Sequence, residues 1–451
     1  MYVDLYHQHS HPNAYGLILD GWSHGNVYYT LGNMGDSKSM NKKCIVIGGG
    51  TFNHVRAHLA VAAPAFGETA KQLYKLCKEK FTTMDTELVL TKMADSSSNI
   101  VTNDDLSDYI DTLVESNLTK VVFFNAAVAD YTGKIGAVPS GKRAERLRTV
   151  SGQAEAMLLE PYTNKIVGKL RKTRKDIFVV AFKTTCGATP TEQYEQALGM
   201  LKKNSVNLVL ANDIETRSNF IVTPEEGVYH GTRDELLVKL VDIAWSRSHL
   251  SFTRSTVVDG TPVPWNDERV YSNLRDVVNW LVSEGAYKEF NGATTGHFAA
   301  KLGEGHFLTS IRKTNFKHIS KNGMVEVKTD GDDQVIAFGA RPSVGGQSQR
   351  IIFEEYGNLD CIVHFHCPLL EKPRNFINVV SQWEYECGSH QCGENTRNGL
   401  SRFGSLYAVM LDNHGPNIVF SKDVEPEKVI DFIKANFDLS KPTNGFTEVY
   451  L

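Results

Sequence analysis

Cys361-Ile362-Val363-His364-Phe365-His366-Cys367 is the stretch on which the reading of this chain turns. Its β-branched and aromatic residues predict a strand, entered from the polar turn Tyr356-Gly357-Asn358. Side chains alternate along a strand, so His364 and His366 fall on one face, about 7 Å apart along it. Two imidazoles so placed can share one metal ion if a third ligand arrives from elsewhere. Taken alone, the pattern also fits two histidines on a solvated strand face.

The surrounding chain has 451 residues, too many for one ordinary core, so two or three domains are expected. With 41% hydrophobic and 22% charged residues it has the composition of a soluble globular protein. A net charge of −4 provides no field favouring nucleic acid or an anionic membrane. No apolar run reaches the roughly 18 residues a bilayer span needs. Met1-Tyr2-Val3-Asp4 lacks the basic start of a secretory signal. Seven cysteines, an odd number, include Cys44, Cys77, Cys186 and Cys361 inside expected strands or helices. Free thiols of that kind suit a reducing, cytoplasmic setting.

Residues 1–41 read as an N-terminal arm. His7, His9 and His11 lie in it, with a metal role as the alternative, and its aromatics suggest packing, with another subunit as one candidate surface. Regular structure begins at Cys44-Ile45-Val46-Ile47, a short buried strand running into Gly48-Gly49-Gly50-Thr51, with a helix expected at about 65–80. A strand, a glycine turn and a helix form a common seat for a nucleotide phosphate, and equally a tight turn with no ligand. Strands at 87–90, 120–125, 177–182 and 206–210 alternate with helices at 106–115, 191–203 and 236–246. Continuous apolar strands spaced by helices predict a doubly wound parallel sheet, Rossmann-like, over residues 42–248. Ligands on such sheets bind at the carboxyl ends of the strands, here Gly48–Thr51, Asn125–Tyr131, Lys183–Gly187 and Asn212–Arg217.

Asn125-Ala126-Ala127-Val128-Ala129-Asp130-Tyr131 resembles the AAVADY segment of phosphopantothenate–cysteine ligases. Ala181-Phe182-Lys183-Thr184-Thr185 and Ala211-Asn212-Asp213-Ile214-Glu215-Thr216-Arg217 resemble two further segments of that family, in the same order. The resemblance implies binding of ATP or CTP, with phosphate amides at Gly48, Gly49, Gly50 and Thr51. It implies orienting groups at Asn125, Ala127, Asp130 and Asn212, and cations at Lys183, Lys142 and Arg146. The family's lysine-rich loop has only the basic run Lys142–Arg148 as its counterpart.

Residues 249–267, with Thr261-Pro262-Val263-Pro264, read as a linker. The second half, 268–451, opens with a helix at about 270–285 and a strand at 325–328. It continues through the opening stretch to Asp412-Asn413-His414-Gly415. This order resembles the class II aldolase/adducin family and implies that α/β fold. The resemblance makes His364, His366 and His414 the ligands of a divalent metal, usually zinc. Substrate-phosphate contacts would be His297, Lys301, Thr309, Ser310 and Ser343. The family's catalytic acid aligns with Gly345, for which Glu384, Glu386 or His390 are the possible replacements.

The leading expectation is a two-domain cytoplasmic enzyme, which both resemblances imply to be a homo-oligomer. One half would bind nucleotide or phosphate, and the other would be a zinc-dependent aldolase or epimerase acting on a small, often phosphorylated sugar. The alternatives are a phosphopantothenate–cysteine ligase of coenzyme A synthesis with an accessory domain, and a non-catalytic, adducin-like assembly protein.

Overall fold

A computed structural model describes residues 41–150, 153–331, 334–344 and 346–450. Most of the expected arm, with His7, His9 and His11, lies outside the described residues, and so does Gly345.

The first half is built on a seven-stranded sheet. Its strands run, edge to edge, Val228–His230, Asn219–Val222, Leu208–Asp213, Phe178–Thr185, Thr119–Ala127, Lys43–Gly50 and Asp85–Leu90. The last five are mutually parallel, and the first two form an antiparallel hairpin at one edge. Period-2 alternation sends Ile45, Ile47, Val122 and Phe124 to one face and Cys44, Val46, Val121 and Phe123 to the other. Helices Asn103–Glu115, Ile166–Thr173 and Pro190–Asn204 cover the first face through Leu106, Ile110, Leu170 and Leu198. Glu68–Lys80 and Arg233–Ser248 cover the second through Leu73, Cys77, Leu237 and Leu240. The sheet is therefore doubly wound, as expected. Capping boxes start three of the helices: Thr102 with Asp105, Thr189 with Glu192, and Thr232 with Glu235. The short helix Ile166–Thr173 and the edge hairpin are additions to the sequence reading, being too brief to give a clear period.

The second half carries a ten-stranded, mostly antiparallel sheet. Its central run is Gln334–Phe338, Met324–Thr329, His306–Ser310, His297–Gly303, Cys361–His364, Gly415–Phe420 and Leu406–Leu411. Helices Ser272–Ser283 and Pro426–Asn436 pack on one face, where Leu274, Val278 and Ile433 meet Phe298, Val363 and Phe365. Ile352 and Phe353 of Gly346–Glu355 pack on the other against Ala299, Phe307 and Ile362.

Two local expectations change. The segment read as linker contains a strand, Arg254–Val258, which joins the second sheet parallel to Gln334–Phe338. Thr256, Val257 and Val258 supply the β-branched residues that favour it. The opening strand is shorter than its composition predicts. It ends at His364, and His366 stands beyond it. Both halves also meet directly. Arg247 is fully buried, pairs with Glu225 and donates from Nε to the Trp383 carbonyl at 2.9 Å.

Candidate metal centre

His364, His366 and His414 converge although only His364 lies on a strand. His364 stands opposite His297 on one side and Asn417 on the other. His414 ends the turn between the last two strands of the central run. There Asn413 has φ +57 and Gly415 passes over the Phe365 carbonyl. A Cβ on Gly415 would lie 2.1 Å from that oxygen, so only glycine lets the two chains come together here. Thr443 fastens both from behind. Its amide donates to the His366 carbonyl at 3.0 Å and its hydroxyl to the His414 carbonyl at 2.9 Å.

One ring nitrogen from each of the three histidines lies within 4.8 Å of the other two. All three residues are buried, at 1%, 8% and 3% exposure. His364 Nδ1 sits 2.8 Å from the Pro416 carbonyl and must donate to it, which leaves Nε2 with a free lone pair. That Nε2 faces His414 Nε2 at 3.2 Å. Ligands about 2.05 Å from a tetrahedral zinc stand roughly 3.3 Å apart, so this separation suits one shared ion. Burial, then His414, His297 and His366, hold His364 well below the ordinary imidazole value. Burial, then His366 and His297, do the same for His414. Neutral imidazoles are the form that binds metal. His366 Nδ1 and His414 Nδ1 are buried without a hydrogen-bond partner. The donor set therefore fits a divalent ion, and the nitrogens favour zinc over magnesium or calcium.

The residues expected to contact a substrate phosphate are engaged within the fold. His297 is buried. Its ring lies against that of His364, centroids 4.7 Å apart, with Nδ1 2.8 Å from Gln349 Nε2. Burial, followed by His366, pushes it down to about 3. Lys301 donates to the Phe353 carbonyl at 2.8 Å and so caps the end of a helix. Thr309 is wholly buried and donates to the Phe298 carbonyl at 3.3 Å. Ser310 is buried with its hydroxyl unpartnered, and its carbonyl accepts from the Ser343 amide at 3.0 Å. Arg312 and Arg341, which flank Ser310 and Ser343 in the chain, belong to a group of cations: burial first, then Arg171, Arg312, Arg341 and Lys313, hold the Lys175 ammonium below its ordinary value.

Two of the three candidate replacements for the acid, Glu386 and His390, have other partners. Both oxygens of Glu386 accept from Asn207 Nδ2, at 2.9 and 3.2 Å, and burial raises its carboxyl. His390 pairs with Glu394 at 3.6 Å, and Glu384 is half-buried in the preceding loop. The carboxylate that does stand beside the histidines is Glu226, 3.5 Å from His366 Nδ1. It belongs to the edge hairpin of the first sheet. Burial alone would raise its carboxyl, but the Lys202 ammonium at 2.9 Å and His366 bring it down to about 2. No sequence signal links Glu226 to a histidine so distant in the chain.

At the first sheet, Asn125 lies near the end of one strand, opposite Gly48, and Lys183 pairs with Ala211, so the expected strand ends do gather. The glycines there are fully used in packing. A Cβ on Gly48 would lie 2.2 Å from Ala70 Cβ, and one on Gly49, at φ +98, would lie 2.2 Å from Thr91 Oγ1. The amides of Gly50 and Thr51 already donate to the Ala65 and Ala127 carbonyls, at 2.8 and 3.1 Å. The Asn212 side-chain oxygen accepts from Thr184, while Asp130, Lys142 and Arg146 are exposed. Asp213, passed over in the sequence, accepts from the amides of Gly187, Ala188, Glu215 and Thr216 and pins two loops together.

Residues 282–425 match the family model for the class II aldolase and adducin N-terminal domain, a range that holds all three histidines. Among solved structures, the DNA/pantothenate metabolism flavoprotein from Streptococcus pneumoniae aligns at 17% identity and TM-score 0.37, over 45% of this chain and 97% of its own. L-fuculose 1-phosphate aldolase aligns at 14% identity and TM-score 0.26, over 36% and 82%. An aldolase II superfamily protein from Pseudomonas syringae aligns at 17% identity and TM-score 0.27, over 38% and 73%. Among curated proteins nothing matches. All seven cysteines are free, and no helix among the described residues is long and apolar enough to cross a membrane.

Proposed function

We propose that the class II aldolase-like half of this chain is a metal-dependent lyase or epimerase for a small, hydroxylated, anionic substrate. His364, His366 and His414 would hold the ion, zinc by donor preference. The observation that carries this reading is the set of three buried imidazoles within 4.8 Å, with the His364 tautomer fixed by the Pro416 carbonyl. A bound ion of this kind supplies a Lewis acid for a carbonyl or hydroxyl oxygen. Around it, Pro416 and Thr443 keep the imidazoles in place, and burial keeps water away. The cations around Lys175, with the free hydroxyl of Ser310, support an anionic substrate, because an anion would relieve their mutual repulsion. Nucleotide-dependent ligation in the first half has less support, since the Gly50 and Thr51 amides are engaged. Free thiols support a reducing, cytoplasmic setting. The exposed apolar residues Leu158 and Leu159 support a homo-oligomer.

The test is metal analysis of purified protein, wild type beside His364→Ala and His414→Ala. We expect near-stoichiometric zinc in the wild type and little in either variant. With metal present, a hydroxy-ketone phosphate should exchange its α-proton with solvent deuterium. Wild-type protein that takes up no divalent metal would overturn the proposal.

A further inference from the structure

We propose that the metal centre is a composite of both halves, in which Glu226 of the first sheet's edge hairpin positions His366 by accepting its Nδ1–H and so directs Nε2 to the ion. This rests on the three-histidine reading above and adds a residue from a sheet that carries none of the ligands.

Four observations meet at this point. Glu226 Oε2 is 3.5 Å from His366 Nδ1, which has no hydrogen-bond partner of its own. That is an ion-pair separation, longer than a hydrogen bond, and a small ring movement closes it. The carboxylate is 3% exposed and its other oxygen is held by Lys202 Nζ at 2.9 Å, so it is fixed and aimed. Glu226 has φ +71, a conformation that non-glycine residues seldom adopt. The surroundings hold it there: its carbonyl accepts from Tyr194 Oη at 3.2 Å and from Asn444 Nδ2 at 3.0 Å. Asn444 also donates to Tyr450 Oη, which lies 2.7 Å from Tyr194 Oη. Finally, the hairpin turn is locked to the turn that carries His414. Asn413 Nδ2 donates to the Val228 carbonyl at 2.9 Å, and its Oδ1 accepts from the Val228 amide at 3.2 Å.

A metal-bound imidazole that donates its second N–H to a carboxylate is fixed in ring orientation and tautomer, and its ligating nitrogen becomes more basic. His364 has the Pro416 carbonyl for this purpose. Glu226 gives His366 the stronger, charged partner. The first half thereby contributes to the site without touching the ion.

The test uses full-length protein loaded with zinc, and Glu226→Gln and Glu226→Ala beside the wild type. Zinc affinity is measured by competition with a chromogenic chelator. We expect a loss of about 10–100-fold in the alanine variant and a smaller loss in the glutamine variant, whose amide oxygen still accepts. Long-range nitrogen–proton spectra of labelled histidine give the His366 tautomer in the loaded wild type, and this needs no variant to fold. Nδ1–H is expected. Unchanged zinc affinity in both variants, or an Nε2–H tautomer at His366, would overturn the proposal. A wild type that binds no zinc fails the three-histidine reading instead, so the two failures are distinguishable.

Discussion

Gly415 crosses Phe365 so closely that a Cβ on the glycine would stand 2.1 Å from the phenylalanine carbonyl oxygen. The glycine after His414 thus has a mechanical role, bringing that imidazole back to His364 and His366. Gly415→Ala must push the two segments apart. The expected cost is about 1–3 kcal/mol of stability, with zinc affinity falling as His414 moves away. Thermal melts with and without zinc check this. A variant that melts like the wild type in both conditions would show that the crossing is looser than the geometry implies.

The parallel sheet could be read from the sequence because its strands are continuous apolar runs, such as Val121-Val122-Phe123-Phe124, buried on both faces. The clustering of the three histidines could be read because His-x-His and His-Gly are short local patterns. The partner of His366 could not, because Glu226 arrives through tertiary packing and nothing near it in the chain marks it as a site residue. The phosphate expectations at Lys301 and Thr309 meet a competing demand. Their side chains have the right chemistry, but backbone carbonyls of the fold claim them. The glycines after Ile47 keep both of their readings for a similar reason. Close packing against Ala70 and Thr91 demands small residues there whether or not a phosphate ever binds.

Arg247 and Glu225 form an ion pair with 0% and 2% of their side chains exposed, where the halves meet. Arg247→Met leaves the glutamate charge buried and unmatched, and should cost about 3–5 kcal/mol. Adding Glu225→Met removes the stranded charge and should recover a large part of that loss. Recovery stays incomplete because Arg247 also donates to the Trp383 and Gln382 carbonyls. Urea midpoints of the two single variants and the double variant give the coupling. Strict additivity would mean that solvent reaches the pair.

Asp213 accepts four backbone amides and the hydroxyls of Thr185 and Thr216. The Thr216 amide first, and then the Thr185 hydroxyl and the other amides, hold its carboxyl well below the usual range despite an opposing burial effect. A depressed carboxyl stabilises the fold above its unfolded value of about 3.9, and that contribution is lost as pH falls through the folded value. Asp213→Asn should therefore melt lower than the wild type by a steady margin at neutral pH. The margin should narrow as pH drops below about 4. Melting curves across that window decide it. A gap that widens in acid would reverse the sign and remove Asp213 as a source of acid sensitivity.

Metal removal gives the last prediction, and its size follows from linkage. The three imidazoles are buried together in the folded chain, with His364 and His414 held well below the ordinary imidazole value, whereas an unfolded chain presents them separately and binds zinc weakly. Zinc at 100 times its dissociation constant should then stabilise the fold by about 2.7 kcal/mol. A strong chelator should lower the melting temperature correspondingly, and restored zinc should return it. In His364→Ala the melting temperature should be insensitive to both additions. The same experiment separates the roles of the two halves. If zinc protects the contact between Asn413 and Val228 as well as the histidines, amide exchange at Val228 should slow in the loaded protein. Protection confined to residues around the three histidines would mean that the first sheet does not sense the metal.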